Sequence, residues 1–101
     1  MGGEQDVEPV IAKDLIEITT LHPNPASTQA NLTVTVKEDL TAKVQVFTMD
    51  GSLVEHVFDG QMFEGWPTTL ELNTNNYESG MYQVRVSSKY FVTTKKLLVI
   101  E

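Results

Sequence analysis

Three features of the sequence predict an all-β chain: clean apolar–polar alternation, turn residues at roughly ten-residue spacing, and the lack of a helical apolar repeat. About seven short strands of this kind imply an immunoglobulin-like antiparallel β-sandwich. At 101 residues the chain suits one domain. Surface scaling lets about 65% of its unfolded surface be buried, enough for a single core.

The first residues carry no such pattern. Residues 1–14 open on Met1-Gly2-Gly3, are acidic, and read as a linker or an added segment at the front of a piece of a longer protein. They have neither the basic nor the apolar region of a secretory signal. The predicted domain is 15–101. It begins with a β-branched run, Leu15 to Thr20, which the prolines of His22-Pro23-Asn24-Pro25 interrupt by removing N–H donors.

Asn31 to Lys37 is the plainest strand, with Leu32, Val34 and Val36 on one face and Thr33, Thr35 and Lys37 on the other. After the polar turn Glu38 to Thr41, Ala42 to Met49 reads as a strand with Val44 and Val46 inward and Phe47 outward. Asp50-Gly51 supplies the positive φ of a tight turn, so residues 42–49 and 52–58 should form a hairpin. Gly60, Gly65 and Pro67 make Asp59 to Pro67 a loop, with Met62, Phe63 and Trp66 folded back as a cap over the core. Thr68 to Leu72 alternates again, with Leu70 and Leu72 inward, before the turn cluster Asn73 to Asn76. Gly80 launches Met81 to Ser87, with Tyr82, Val84 and Val86 on one face, and Tyr90 to Ile100 forms the last strand.

Charge and composition narrow the function. The net charge of -7 argues against nucleic acid as a partner, since phosphate neutralisation needs clustered Lys and Arg. It is unevenly spread: residues 1–20 carry -4, residues 21–80 carry -6, and residues 81–101 carry +3. The longest apolar run, Leu97 to Ile100, is four residues, so no membrane insertion is expected. Zero Cys excludes disulfides, thiolate metal sites and a cysteine nucleophile.

His22 and His56 lack metal-ligand spacing, so no metal is expected. The carboxylates are explained by turns and outward strand positions, and there is no phosphate loop, nucleophile elbow or calcium loop. No catalytic residue and no cofactor are therefore assigned. Asn31-Leu32-Thr33 matches a glycosylation triplet but lies in a predicted strand and is read as structural.

Four segments, taken in order, carry a resemblance: His22-Pro23-Asn24-Pro25-Ala26, Val44 to Val54 with Asp50-Gly51, Ser79-Gly80-Met81-Tyr82 to Val86, and Thr94-Lys95-Lys96-Leu97-Leu98-Val99. Over residues 21–101 the chain resembles the C-terminal sorting domain of type IX (Por) secretion cargo in Bacteroidetes. It departs from that pattern at His22, where an aromatic is usual, at Ser52, where a basic residue is usual, and in its acidic end, Glu101.

The resemblance implies a transport address. A covalently linked N-terminal cargo would cross the periplasm, be recognised by the outer-membrane translocon and its shuttle proteins, and reach the cell surface or the medium. A sortase-like signal peptidase would typically remove the domain, the acidic linker before Thr20 being the natural place for cleavage. Retention as an uncleaved domain of a secretion-machinery or signalling component stays open, as does a dimer through exposed edge strands.

Lys95, Lys96, Leu97, Leu98, Val99 and Ile100 are the expected recognition residues, an accessible terminal strand whose backbone and side chains a partner reads by strand addition. Pro23, Asn24 and Pro25 are expected to fix the lead-in to the domain. Asp50 and Gly51 should shape the hairpin, and Gly80 and Tyr82 should start a core strand. The rival of another class is an adhesion or carbohydrate-binding module using Trp66, Phe63 and Tyr77 as a platform.

Overall fold

The computed structural model describes residues 15–101, so the linker expected over 1–14 lies outside the described residues. Seven strands follow in order: β1 (Ile16–His22), β2 (Ala30–Val36), β3 (Leu40–Thr48), β4 (Leu53–Met62), β5 (Thr68–Leu72), β6 (Gly80–Ser87) and β7 (Val92–Val99). A 3-10 turn, Thr74–Asn76, precedes β6. The strands form two antiparallel sheets, β1-β2-β5 and β4-β3-β6-β7, as the alternation predicts.

Position in a sheet decides which alternations are clean. β2 lies between β1 and β5, and every second residue, Ala30, Leu32, Val34 and Val36, is buried. β3 and β6 hold the matching place in the other sheet and bury Ala42, Val44 and Val46 against Tyr82, Val84 and Val86. Leu97 and Val99 of β7 complete the same layer. Each fully buried Val or Leu contributes about 1.5–3 kcal/mol, so this layer between the sheets holds the fold.

The predicted loop at Asp59 to Pro67 is only partly a loop. β4 continues through Met62, opposite Leu40, and Met62 is fully buried. Gly60 does not break this strand: a Cβ there would meet the Phe58 ring at 3.3 Å, so the glycine admits the ring rather than a turn. Nor do Phe63 and Trp66 cap the core, being 49% and 75% exposed on a tight reversal in which Trp66 N–H donates to Phe63 C=O at 3.1 Å. The last strand starts at Val92 rather than Tyr90, which is exposed in the β6–β7 hairpin.

Pro23 and Pro25 also sit differently from expectation. They lie in the β1–β2 connection, inside the domain, because the Leu15 segment before them is already bound: Lys37 N–H donates to Leu15 C=O at 3.0 Å and β1 pairs with β2.

The registers give the sandwich two ends. At the near end lie the start of β1, the Glu38-Asp39 turn, the Phe63–Trp66 reversal and the Ser88–Phe91 hairpin. At the far end lie the Pro23-Asn24-Pro25 connection, the Asp50-Gly51 turn, Asn73 to Gly80 and the chain end Ile100-Glu101. Residues 1–14 therefore join at the near end, while the singled-out motifs gather at the far one.

Candidate recognition site

The far end is assembled around the outer edge of β7. Asn24 donates its side-chain N–H to Lys96 C=O and accepts from Leu98 N–H, both at 3.0 Å. Ala26 continues the pairing, donating to Leu98 C=O and accepting from Ile100 N–H, each at 2.8 Å, in a parallel bridge opposite Val99. One short segment thus occupies the outward backbone groups from Lys96 C=O to Ile100 N–H. The Asn24 amide stands in for a peptide group, with one donor and one acceptor. Pro25 sacrifices nothing, since a residue beside the backbone-pairing Ala26 turns its nitrogen away from the edge.

This arrangement corrects the expectation of an accessible terminal backbone. From Lys96 C=O onward the edge is already filled, so a partner meets side chains there unless Asn24 and Ala26 let go. Those side chains divide by face. Leu97 and Val99 are fully buried; Lys95 and Lys96 are exposed, Leu98 is half-buried, and Ile100 is 49% exposed. Lys96, Leu98 and Ile100 share the outer face of the four-stranded sheet with Met81, which pairs with Leu98. Nearby on that face the Arg85 guanidinium lies 4.2 Å from the centre of the Phe47 ring.

The other motif residues fix this end. Gly51 takes φ +95° in the β3–β4 turn and donates to Thr48 C=O at 3.0 Å, a conformation that favours glycine. Asp50 accepts from the Thr48 hydroxyl and from Ser52 N–H, and these bonds, the Thr48 one first, hold its carboxyl below the usual value. Gly80 starts β6 opposite Val99, and Tyr82 is buried, its hydroxyl donating to Glu78 C=O at 2.5 Å.

Buried Thr74 ties the 3-10 turn to the β1–β2 connection through a 3.1 Å bond from its hydroxyl to Ser27 C=O. Glu101 N–H donates to the Ser79 hydroxyl at 3.1 Å and anchors the chain end. Tyr77 donates to Glu55 Oε1 at 2.6 Å, with its ring centre 5.0 Å from that of Tyr82. Burial first, then the Glu55 carboxylate, push the Tyr77 phenol well above its ordinary range.

The aromatic platform does not assemble: Tyr77 is buried at the far end, while Phe63 and Trp66 are exposed at the near end. Sequence reasoning places Pro23, Asn24, Pro25, Ala26, Ser79 and the final strand in one motif set without seeing that they touch, gives Ala26 and Ser79 no role, and misses the Tyr77–Glu55 pair. The signal for Asn24 was an amide side chain between two residues that cannot donate. No group of three or more His, Cys, Asp or Glu among the described residues is arranged to hold a metal ion.

Comparison with known proteins bears on the fold and the family. Among curated proteins none matches the chain. In fold it is similar to latent dimeric PorU from Porphyromonas gingivalis, with a TM-score of 0.64 and 23% identity over 84% of this chain. The chain spans 9% of that protein's length. The family model described as the secretion system C-terminal sorting domain matches residues 20–101, which include all four motif segments. The chain therefore belongs to the C-terminal sorting domain family of the type IX secretion system, and acts as a sorting signal for export across the outer membrane through that machinery.

Proposed function

We propose that the secretion machine reads the far end of the sandwich, where the Pro23-Asn24-Pro25-Ala26 connection and the Lys95–Ile100 segment form one composite surface. One observation carries this reading: the motif segments converge on the end opposite the point where residues 1–14 join. A partner approaching there stays clear of a folded passenger. Lys95, Lys96 and Ile100 supply exposed charge and apolar surface, while Leu97 and Val99 hold the strand in place. The partners in this reading are the outer-membrane translocon and its shuttle proteins, met in the periplasm, with the passenger delivered to the surface or the medium. A sortase-like signal peptidase then acts in the segment before β1, and the intact mass of the exported parent reports whether the domain leaves.

Removing Lys95 to Glu101 would be a poor test, since it takes Leu97 and Val99 out of the core. Surface substitutions avoid this. A periplasmic passenger fused to the whole chain is compared with a Lys95→Glu/Lys96→Glu/Ile100→Asp variant and with a Phe63→Ser/Trp66→Ser variant in a type IX-competent cell. The reading expects loss of surface delivery only in the first. Equal delivery of both variants rejects it.

A further inference from the structure

The four sheet edges differ. β1 is bulged between Ile18 and Thr20, β5 has five residues, and β4 shifts register twice and carries Asp59. β7 pairs with β6 from Val92 to Val99 without a shift and holds neither proline nor glycine. Neither β6 nor β7 carries a carboxylate, whereas Arg85, Lys95 and Lys96 lie on them. One edge is thus both regular and basic on an otherwise acidic chain.

Antiparallel pairing fixes where its backbone points. Leu98 C=O and Ile100 N–H face Ala26, so the even-numbered residues of β7 turn their groups away from β6. Asn24 and Ala26 fill those from Lys96 C=O onward. The outward groups of Val92 and Thr94, and Lys96 N–H, meet no hydrogen-bond partner among the described residues. Beside them runs an open groove of about 580 Å³ between β1 and β7, lined by Glu17, Ile18 and Thr93 to Lys96.

We propose that the Val92–Lys96 half of this edge takes an extended, acidic segment of a partner protein as a fifth strand of the four-stranded sheet. This rests on the reading of the domain as a recognised signal, and it moves the backbone contact from the blocked end of β7 to its open half. Incoming carboxylates meet Lys96 on the outer face and Lys95 at the groove, each cross-strand pair adding to the backbone bonds. Glu17, on the opposite wall, disfavours a carboxylate deep in the groove and keeps the acidic positions on the β7 side. A second copy adding by its own β7 would set lysine against lysine, the device by which exposed edges avoid self-pairing.

The test is amide hydrogen exchange on the whole chain, with a synthetic peptide of about eight alternating Glu and Val residues and its Lys and Val counterpart. At an acidic-peptide concentration about ten times its Kd, exchange at Thr94 and Lys96 should slow about tenfold. The basic peptide should leave it unchanged. Thr94→Pro, which removes an outward donor, should abolish the effect while Leu97, bonded to β6, stays protected. The proposal is overturned by no slowing, by equal slowing with both peptides, or by slowing that follows protein concentration without peptide, which would assign the edge to a second copy. Since this readout needs no export, failure of the passenger fusion and failure of this proposal are told apart.

Discussion

Asn24 grips Lys96 and Leu98, 72 and 74 residues further along the chain, through the two ends of one side-chain amide. The contact joins the first motif to the last and closes the open end of the sandwich. It also protects a terminal strand that would otherwise present a full row of unpaired backbone groups.

Asn24→Ala removes both bonds and leaves the freed backbone groups to water. The expected cost is about 1–2 kcal/mol, which for a domain of this size lowers Tm by about 4–8 °C per kcal/mol. Exchange at the Leu98 amide should accelerate while Leu97, which bonds to β6, keeps its protection. Thermal unfolding with exchange mass spectrometry reads both; an unchanged Leu98 amide would contradict the latch.

Neighbouring residues of β7 should behave oppositely. Leu97→Ala opens a cavity in the core and should cost about 2–5 kcal/mol in urea unfolding. Lys95→Ala, on an exposed side chain, should stay within about 0.5 kcal/mol. Effects on export without loss of stability then belong to recognition.

Two groups tie stability to pH, with opposite signs. The Asp50 pKa is depressed below 3.8 by its Thr48 and Ser52 hydrogen bonds, so its contribution is present above that value and lost as pH falls through the folded pKa. Asp50→Asn should flatten the acid limb. The Tyr77 pKa is raised, chiefly by burial, so its contribution is complete below about pH 10 and lost as pH rises beyond it. Tyr77→Phe should flatten the alkaline limb and remove about 1 kcal/mol with the Glu55 bond. Urea titrations across pH check both limbs.

The Met62–Trp66 stretch separates apolar character from burial. Met62→Ala should cost about 2–5 kcal/mol, and Trp66→Ser no more than about 0.5 kcal/mol. The reverse order in chemical unfolding would return Trp66 to the core.

These contrasts show which parts of the fold were legible. Strands buried on one face between two neighbours, such as β2, announce themselves by alternation, and Asp50-Gly51 declares its hairpin by the φ it permits. Gly60 misled because a glycine that receives a neighbouring ring looks in sequence like one that breaks a strand. Phe63 and Trp66 misled because hydrophobicity sets a preference for burial without naming the tip of a reversal. At the candidate site the residues were legible but their partnership was not. The grip of Asn24 on β7 is a long-range contact created by the meeting of the two sheets, and no local pattern encodes it.

On the proposed reading, the far end of the sandwich faces the secretion machine. Photocrosslinking residues placed at Lys96, Ile100, Phe63 and Trp66, one at a time, in a passenger fused to the whole chain test this in a type IX-competent cell. Adducts with outer-membrane components are expected from Lys96 and Ile100 and not from Phe63 or Trp66. Adducts from Phe63 and Trp66 alone would overturn it.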